Sequence, residues 1–262
     1  SALSISPSIN ELYAYSQRLG FKNIKNISKV VDFKESGYSI ISSKDFKAII
    51  DRGDVGASYQ PGHVHADTLS FECSLFNKRL IVNSGISTYE NNKERFLNRS
   101  TKSHSTVVID DKNSSEVWSS FRVGKRAKIF NRSEIKKNKL GVELSACHNG
   151  YIHLPGHPIH CRNWSLLKNQ LLIEDKIIGH GTHKIDILYI IHPDIGIRRT
   201  KKSILEFDVL NKKCKLEFEG NGEISCKDSL YNLSFNNSKI NKKIIYKVNQ
   251  PLPVKIRTRI SW

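Results

Sequence analysis

The chain has 262 residues, with 42 Lys and Arg against 25 Asp and Glu and a formal charge of +17. That length supports one large domain or two modest ones, and the charge predicts attraction to polyanions: nucleic acid, an anionic membrane surface or an acidic polysaccharide. No apolar run reaches the roughly 18 residues of a membrane span, no zinc-finger or RNP-type signature speaks for nucleic acid, and no signal peptide precedes Ser1.

Residues 8–19 predict a helix. Ser8 serves as N-cap, Glu11 completes a capping box, and Gly20 is the stop. Leu12, Tyr15 and Leu19 give it an apolar stripe. From about residue 29 the pattern changes to short β-rich runs, Lys29–Phe33, Tyr38–Ser42 and Phe46–Asp51. The stretch from Gly62 to Leu75 follows as a central strand. With alternating faces, His63, His65 and Asp67 share a side with Leu69, Phe71, Cys73 and Leu75. Such a strand brings two imidazoles and a carboxylate to the mouth of an apolar core, an arrangement suited to coordination or proton transfer.

Asn77-Lys78 makes a turn, Arg79–Val82 returns, and residues 84–104 form a long polar connection. Strand-like runs then recur to the C-terminus, among them Thr106–Asp110, Gly141–Ala146, Asn163–Ile178, Lys184–His192, Ile204–Val209 and Val254–Arg259. Many short strands with turn residues between them argue for an all-β sandwich or barrel. The five cysteines, 73, 147, 161, 214 and 226, are odd in number and form no C-x-x-C pair. A disulfide framework is therefore not expected, and several read as small core residues. His148, His153, His157, His180 and His183 read as loop or surface residues, His160 and Arg162 as structural supports, and at least two of Trp118, Trp164 and Trp262 as packing.

His63, His65, Asn83 and His104 are the candidates for one site, since zinc and similar ions accept neutral imidazole with oxygen completing the shell. Geometry sets a condition. Across a hairpin turning at Asn77-Lys78, Asn83 lies opposite the neighbourhood of Cys73, roughly 26 Å along a straight strand from His65. The metal reading thus requires one of the flanking segments to curl back over the sheet. A cupin also begins with H-x-H, but the next Glu here, Glu72, comes too late for that pattern.

The runs Asp51-Arg52-Gly53-Asp54, Pro61-Gly62-His63-Val64-His65-Ala66-Asp67, Leu80-Ile81-Val82-Asn83-Ser84-Gly85, Arg99-Ser100-Thr101 with His104-Ser105-Thr106, and His160-Cys161-Arg162 together resemble the heparinase II/III-like polysaccharide lyases. The resemblance implies a large antiparallel β-sandwich, residues 23–262, which in the family follows a helical (α/α) toroid. Residues 1–22 would be the end of that toroid. It implies β-elimination of an acidic, uronate-containing polysaccharide in the periplasm or outside the cell. His63 and Tyr89 would be catalytic residues in the cleft, Arg95 and Arg99 would meet acidic sugars, and His65, Asn83 and His104 would hold a structural zinc. The family usually has Asp where this chain has Asn83, and Asn where it has Ser105. Those departures keep a second reading open, a non-catalytic carbohydrate-binding or scaffold domain on the same fold.

Overall fold

A computed structural model describes residues 7–21 and 29–262. Ile9–Arg18 is a helix capped by Ser8, and both hydrogen bonds of the Ser8–Glu11 capping box are present. It is the longer of the two α-helices among the described residues. No residue of this helix is buried, so the stripe of Leu12, Tyr15 and Leu19 stays open to solvent. The expected boundary between residues 22 and 23 lies outside the described residues.

The rest is a sandwich of two nine-stranded sheets whose paired strands all run antiparallel. One sheet runs, in spatial order, Val30–Asp32, Tyr38–Ser42, Phe46–Asp51, Phe71–Leu75, Lys78–Ile81, Thr182–Ile191, Asn237–Pro251 and Glu223–Ser234, and Val107–Ile109 pairs with Thr182–Ile191. The other runs Lys136–Lys137, Gly141–His148, Ile159–Leu167, Gln170–Ile178, Val254–Ser261, Lys212–Glu219, Ile204–Val209 and Gly196–Lys201, and Ile129–Phe130 pairs with Gly141–His148. Alternation explains the layering. In Phe46–Asp51 the residues Phe46, Ala48 and Ile50 are buried while Lys47 and Ile49 face out. Phe71 of one sheet meets the fully buried Trp164 of the other edge-to-face at 6.5 Å, and Trp262 stacks on Phe46 at 5.0 Å.

On the outer face of the second sheet the pattern turns ionic. Lys255 and Arg257 both meet Glu174, Arg257 and Arg259 both meet Glu219, and Arg259 also meets Glu217, across three neighbouring strands.

Four expectations change. The central strand begins only at Phe71, and residues 62–70 form an irregular loop. The connection 84–104 contains a second helix, Lys93–Arg99, capped by the Asn92 side chain. That helix buries Arg95, Asn98 and Arg99, a polar face inward, so it carries no apolar stripe to announce it. Cys147 and Cys161 form a disulfide, because the register of Gly141–His148 against Ile159–Leu167 sets them directly opposite each other. His148 and His183 are buried rather than at the surface, while His153, His157 and His180 are exposed.

Candidate functional site

The loop 62–70 is held by partners from distant segments rather than by a ladder. The Ala66 amide donates to the Arg99 carbonyl at 2.9 Å, Arg99 Nε donates to the Val64 carbonyl at 3.1 Å, and Thr106 Oγ1 donates to the Thr68 carbonyl at 2.8 Å. From the opposite sheet, Arg162 Nη1 donates to the carbonyls of Leu69 at 3.0 Å and Ser105 at 2.8 Å. One guanidinium therefore fastens both the His65–Asp67 segment and the His104 segment. This is the curling back that a shared site demands.

Its result is a cluster in which one donor atom each from His65, Asp67 and His104 lie within 4.8 Å of one another. His65 Nδ1 is 3.1 Å from His104 Nε2. His104 Nδ1 lies 2.9 Å from the Ser100 carbonyl, which can only accept, so Nδ1 carries the proton and Nε2 offers its lone pair. Burial lowers the pKa of His104 to about 4. His65 also falls well below the usual range, through burial and then the charges of His104, Arg95 and Arg99. Both imidazoles are thus neutral, the form a metal takes. Burial pushes the Asp67 carboxyl up to about 7.

Two imidazoles and a carboxylate, one imidazole fixed through its far nitrogen by a carbonyl, fit a zinc ion. Asn83 lines a cavity of about 70 Å³ together with Asp51, Asp67, Glu72 and His104. Its Oδ1, however, accepts from the Gly85 amide at 2.9 Å. The carboxylate of the cluster comes from Asp67, which the sequence sets on one face with the histidines as suited to coordination but which the expected zinc ligand set, His65, Asn83 and His104, leaves out.

His63 parts from His65 and faces a different set. Its ring lies edge-on to Tyr89 and to Phe121, each at 5.5 Å, and it is exposed. Tyr89 is tilted against Phe121 at 5.3 Å and edge-on to Phe235 at 4.8 Å. Beneath them, Arg95 is 1% exposed, with its guanidinium 5.0 Å from the Tyr89 ring and 5.5 Å from that of Phe121. Arg95 Nε donates to the Ser120 carbonyl, and neither terminal amine has a hydrogen-bond partner. Arg99 is different: buried, it donates to the carbonyls of Val64, Trp118, Ser119 and Arg122. Its guanidinium is occupied in shaping the loops.

Behind the site lies a buried polar chain. Asp175 receives Arg162 at 2.7 and 3.0 Å and His160 Nε2 at 2.7 Å. His160 Nδ1 must then accept from His148 Nε2 at 3.1 Å, and His148 Nδ1 accepts from the Gly150 amide. Burial alone would raise the Asp175 pKa, yet Arg162 and His160 outweigh it and hold the carboxyl at about 2.

The fold has known counterparts. The chain aligns with a heparinase III carrying methylated lysines at TM-score 0.79 and 16% identity, over 96% of this chain and 40% of that one. A second heparinase III structure matches at 0.77 and 13% identity, over 96% and 41%. Heparan sulfate lyase HepC from Pedobacter heparinus matches at 0.76 and 13% identity, also over 96% and 41%. The chain therefore spans about two fifths of the length of these proteins. No curated protein matches the sequence. The profile of the family described as "Heparinase II/III-like, C-terminal" matches residues 28–262, and the chain belongs to that family.

Proposed function

We propose that this chain is the β-sandwich part of a lyase that cleaves an acidic, uronate-containing polysaccharide by β-elimination. The observation that carries the reading is the exposed His63 ring set against Tyr89 and Phe121 above the buried Arg95. Elimination at a uronate breaks the C5–H bond and then the C4–O4 bond. A C4=C5 double bond forms, and the departing O4 takes up a proton. Imidazole and phenol are suited to those two transfers, and His63 and Tyr89 are the pair available here. The carboxylate must also be neutralised as charge builds on it. That role, and a further acid or base, would fall to a helical toroid outside this chain, which covers only 40% and 41% of the heparinase III structures it matches. Arg95 supplies a fixed positive charge on the β side.

His65, Asp67 and His104 would hold the zinc, whose contribution when bound is to cross-link the loop 62–70 to the segment ending at His104. The Cys147–Cys161 disulfide agrees with an oxidising compartment, periplasmic or extracellular. The test is absorbance of the unsaturated uronate product across a panel of acidic polysaccharides. Residues 1–262 alone should give little turnover, because loss of one positioned acid or base costs roughly 10²–10⁴-fold. Full turnover by this chain, abolished by His63→Ala, would overturn the division of roles.

A further inference from the structure

Three exposed aromatic rings lie in a row beside His63. Phe121 is 43%, Tyr89 38% and Phe235 41% exposed, and the two centroid separations along the row are 5.3 and 4.8 Å. Isolated exposed rings are ordinary, but a contiguous apolar strip on a chain this polar marks a contact surface. The rings come from three separate segments. Phe121 sits between the short paired strands Val117–Trp118 and Arg122–Val123, Tyr89 in the connection before the second helix, and Phe235 at the hairpin tip between Glu223–Ser234 and Asn237–Pro251. That tip is tied down beside Tyr89. The Asn236 amide donates to the Ser87 carbonyl at 3.0 Å, and the Asn232 amide to the Ser84 carbonyl at 2.8 Å. The fold thus delivers Phe235 to the strip.

Arg95 supplies an independent observation. A buried guanidinium ordinarily has a carboxylate or a full set of acceptors. Here Nη1 and Nη2 have neither, and among the described residues Arg95 joins no ion pair. Its charge is sandwiched against the Tyr89 and Phe121 rings. The strip therefore presents apolar ring faces backed by an uncompensated positive charge, which complements a pyranose whose C–H face is apolar and whose substituent is anionic.

We infer that Phe121, Tyr89 and Phe235, backed by Arg95, form a subsite for an anionic sugar unit, a ring bearing a carboxylate or sulfate, beside the position of His63. The subsite deepens the lyase reading and rests on it. Stacking on Phe121 and Phe235 holds the ring, and Arg95 selects the charge.

The experiment titrates the intact chain with three oligosaccharides of equal length, one carrying uronates only, one sulfated and one neutral, followed by calorimetry and by tryptophan fluorescence. Phe235→Ala should weaken the anionic ligands by about fivefold to tenfold, the scale of one aromatic contact, with the fold retained and the melting temperature lowered only slightly, since the ring packs at the surface against Tyr89. Phe235→Tyr should restore binding. Arg95→Met should remove the preference for anionic over neutral ligand while leaving the neutral affinity in place. Comparison of the uronate and sulfated arms identifies which anion the subsite takes. Wild-type binding that Phe235→Ala leaves unchanged would overturn the subsite while the lyase reading stands. Equal affinity for neutral and anionic ligands, insensitive to Arg95→Met, would overturn the charge selection. A flat wild-type titration with every ligand would overturn both the subsite and the reading that this part of the protein contacts the polymer.

Discussion

Replacing Arg162 by Met tests how the opposite sheet holds the site. The substitution keeps most of the apolar stem and removes four donations: two to Asp175, one to the Leu69 carbonyl and one to the Ser105 carbonyl. Breaking one side of a fully buried ion pair costs about 3–5 kcal/mol. Each carbonyl left without a partner adds about 1–3 kcal/mol at full cost. These terms share one side chain and do not add, and Asp175 can take up a proton once the guanidinium no longer holds it down. A loss of about 5 kcal/mol is the expected result, a large part of the roughly 5–15 kcal/mol of a typical domain. Urea unfolding gives the stability, and competition with a chelator gives zinc affinity in the same samples. Zinc should weaken along with stability, because the segments carrying Asp67 and His104 lose their common anchor. The double variant Arg162→Met with Asp175→Leu should recover part of the stability, since no charge is left stranded, but not the zinc affinity. A loss below about 1 kcal/mol with unchanged zinc binding would refute the reasoning.

Three further outcomes follow from other parts of the fold. Asp67→Asn should lower zinc affinity at least tenfold, whereas Asn83→Ala should change it less, because Asn83 offers only a neutral amide oxygen, one lone pair of which already accepts from Gly85; equal effects in elemental analysis would reject Asp67 as the principal oxygen ligand. Stability should fall on acidification in two windows. His148 and His160 have lowered pKa values in the fold, through burial first, so the unfolded chain takes up protons that the folded one refuses as pH drops below about 6.5. Asp175, held at about 2, then loses its contribution of about 2 kcal/mol as pH falls from about 4 to about 2. Denaturant midpoints flat from pH 7 to pH 4 would contradict the first window. Replacing Cys147 and Cys161 by Ser should cost about 2–3 kcal/mol, the scale for closing a loop of about 15 residues, and a melting temperature insensitive to reductant would show that the bridge contributes nothing.

What could be read from the sequence was local. The helix Ile9–Arg18 announces itself through Ser8, Glu11 and Gly20, all within one turn of its ends. Phe46–Asp51 shows its own alternation. The segment from His63 to Leu75 also alternates, yet only its last five residues join the sheet. Its earlier backbone groups are claimed by Arg99, Thr106 and Arg162, and Leu69 takes a positive φ of 59°, choices fixed by residues far along the chain. The same holds for the polar interior. His148 looks like a strand-end surface residue until the register places it against His160, and His160 in turn beside Asp175. Cys147 and Cys161 meet through that register too. His65 and His104 were legible as partners through a family resemblance, while Asp67 needed the loop to fold before its carboxylate reached them. Phe121 and Phe235 carried no local signal at all, since each gains meaning only from the ring beside it.

The paired charges on the outer second sheet have a consequence for the proposed acidic polymer. On a protein with a surplus of 17 positive charges, a long acidic polymer could settle almost anywhere and linger. Lys255, Arg257 and Arg259 are already matched there by Glu174, Glu217 and Glu219, so these three cations are locally compensated. For the acidic polymer proposed as substrate, a landing on these three strands would meet carboxylates beside each of those cations and be the shorter for it. Photo-cross-linking of a labelled acidic polysaccharide should leave the strand Val254–Ser261 unmarked, and reversing Glu174 and Glu219 to Lys should turn that quiet face into a trap.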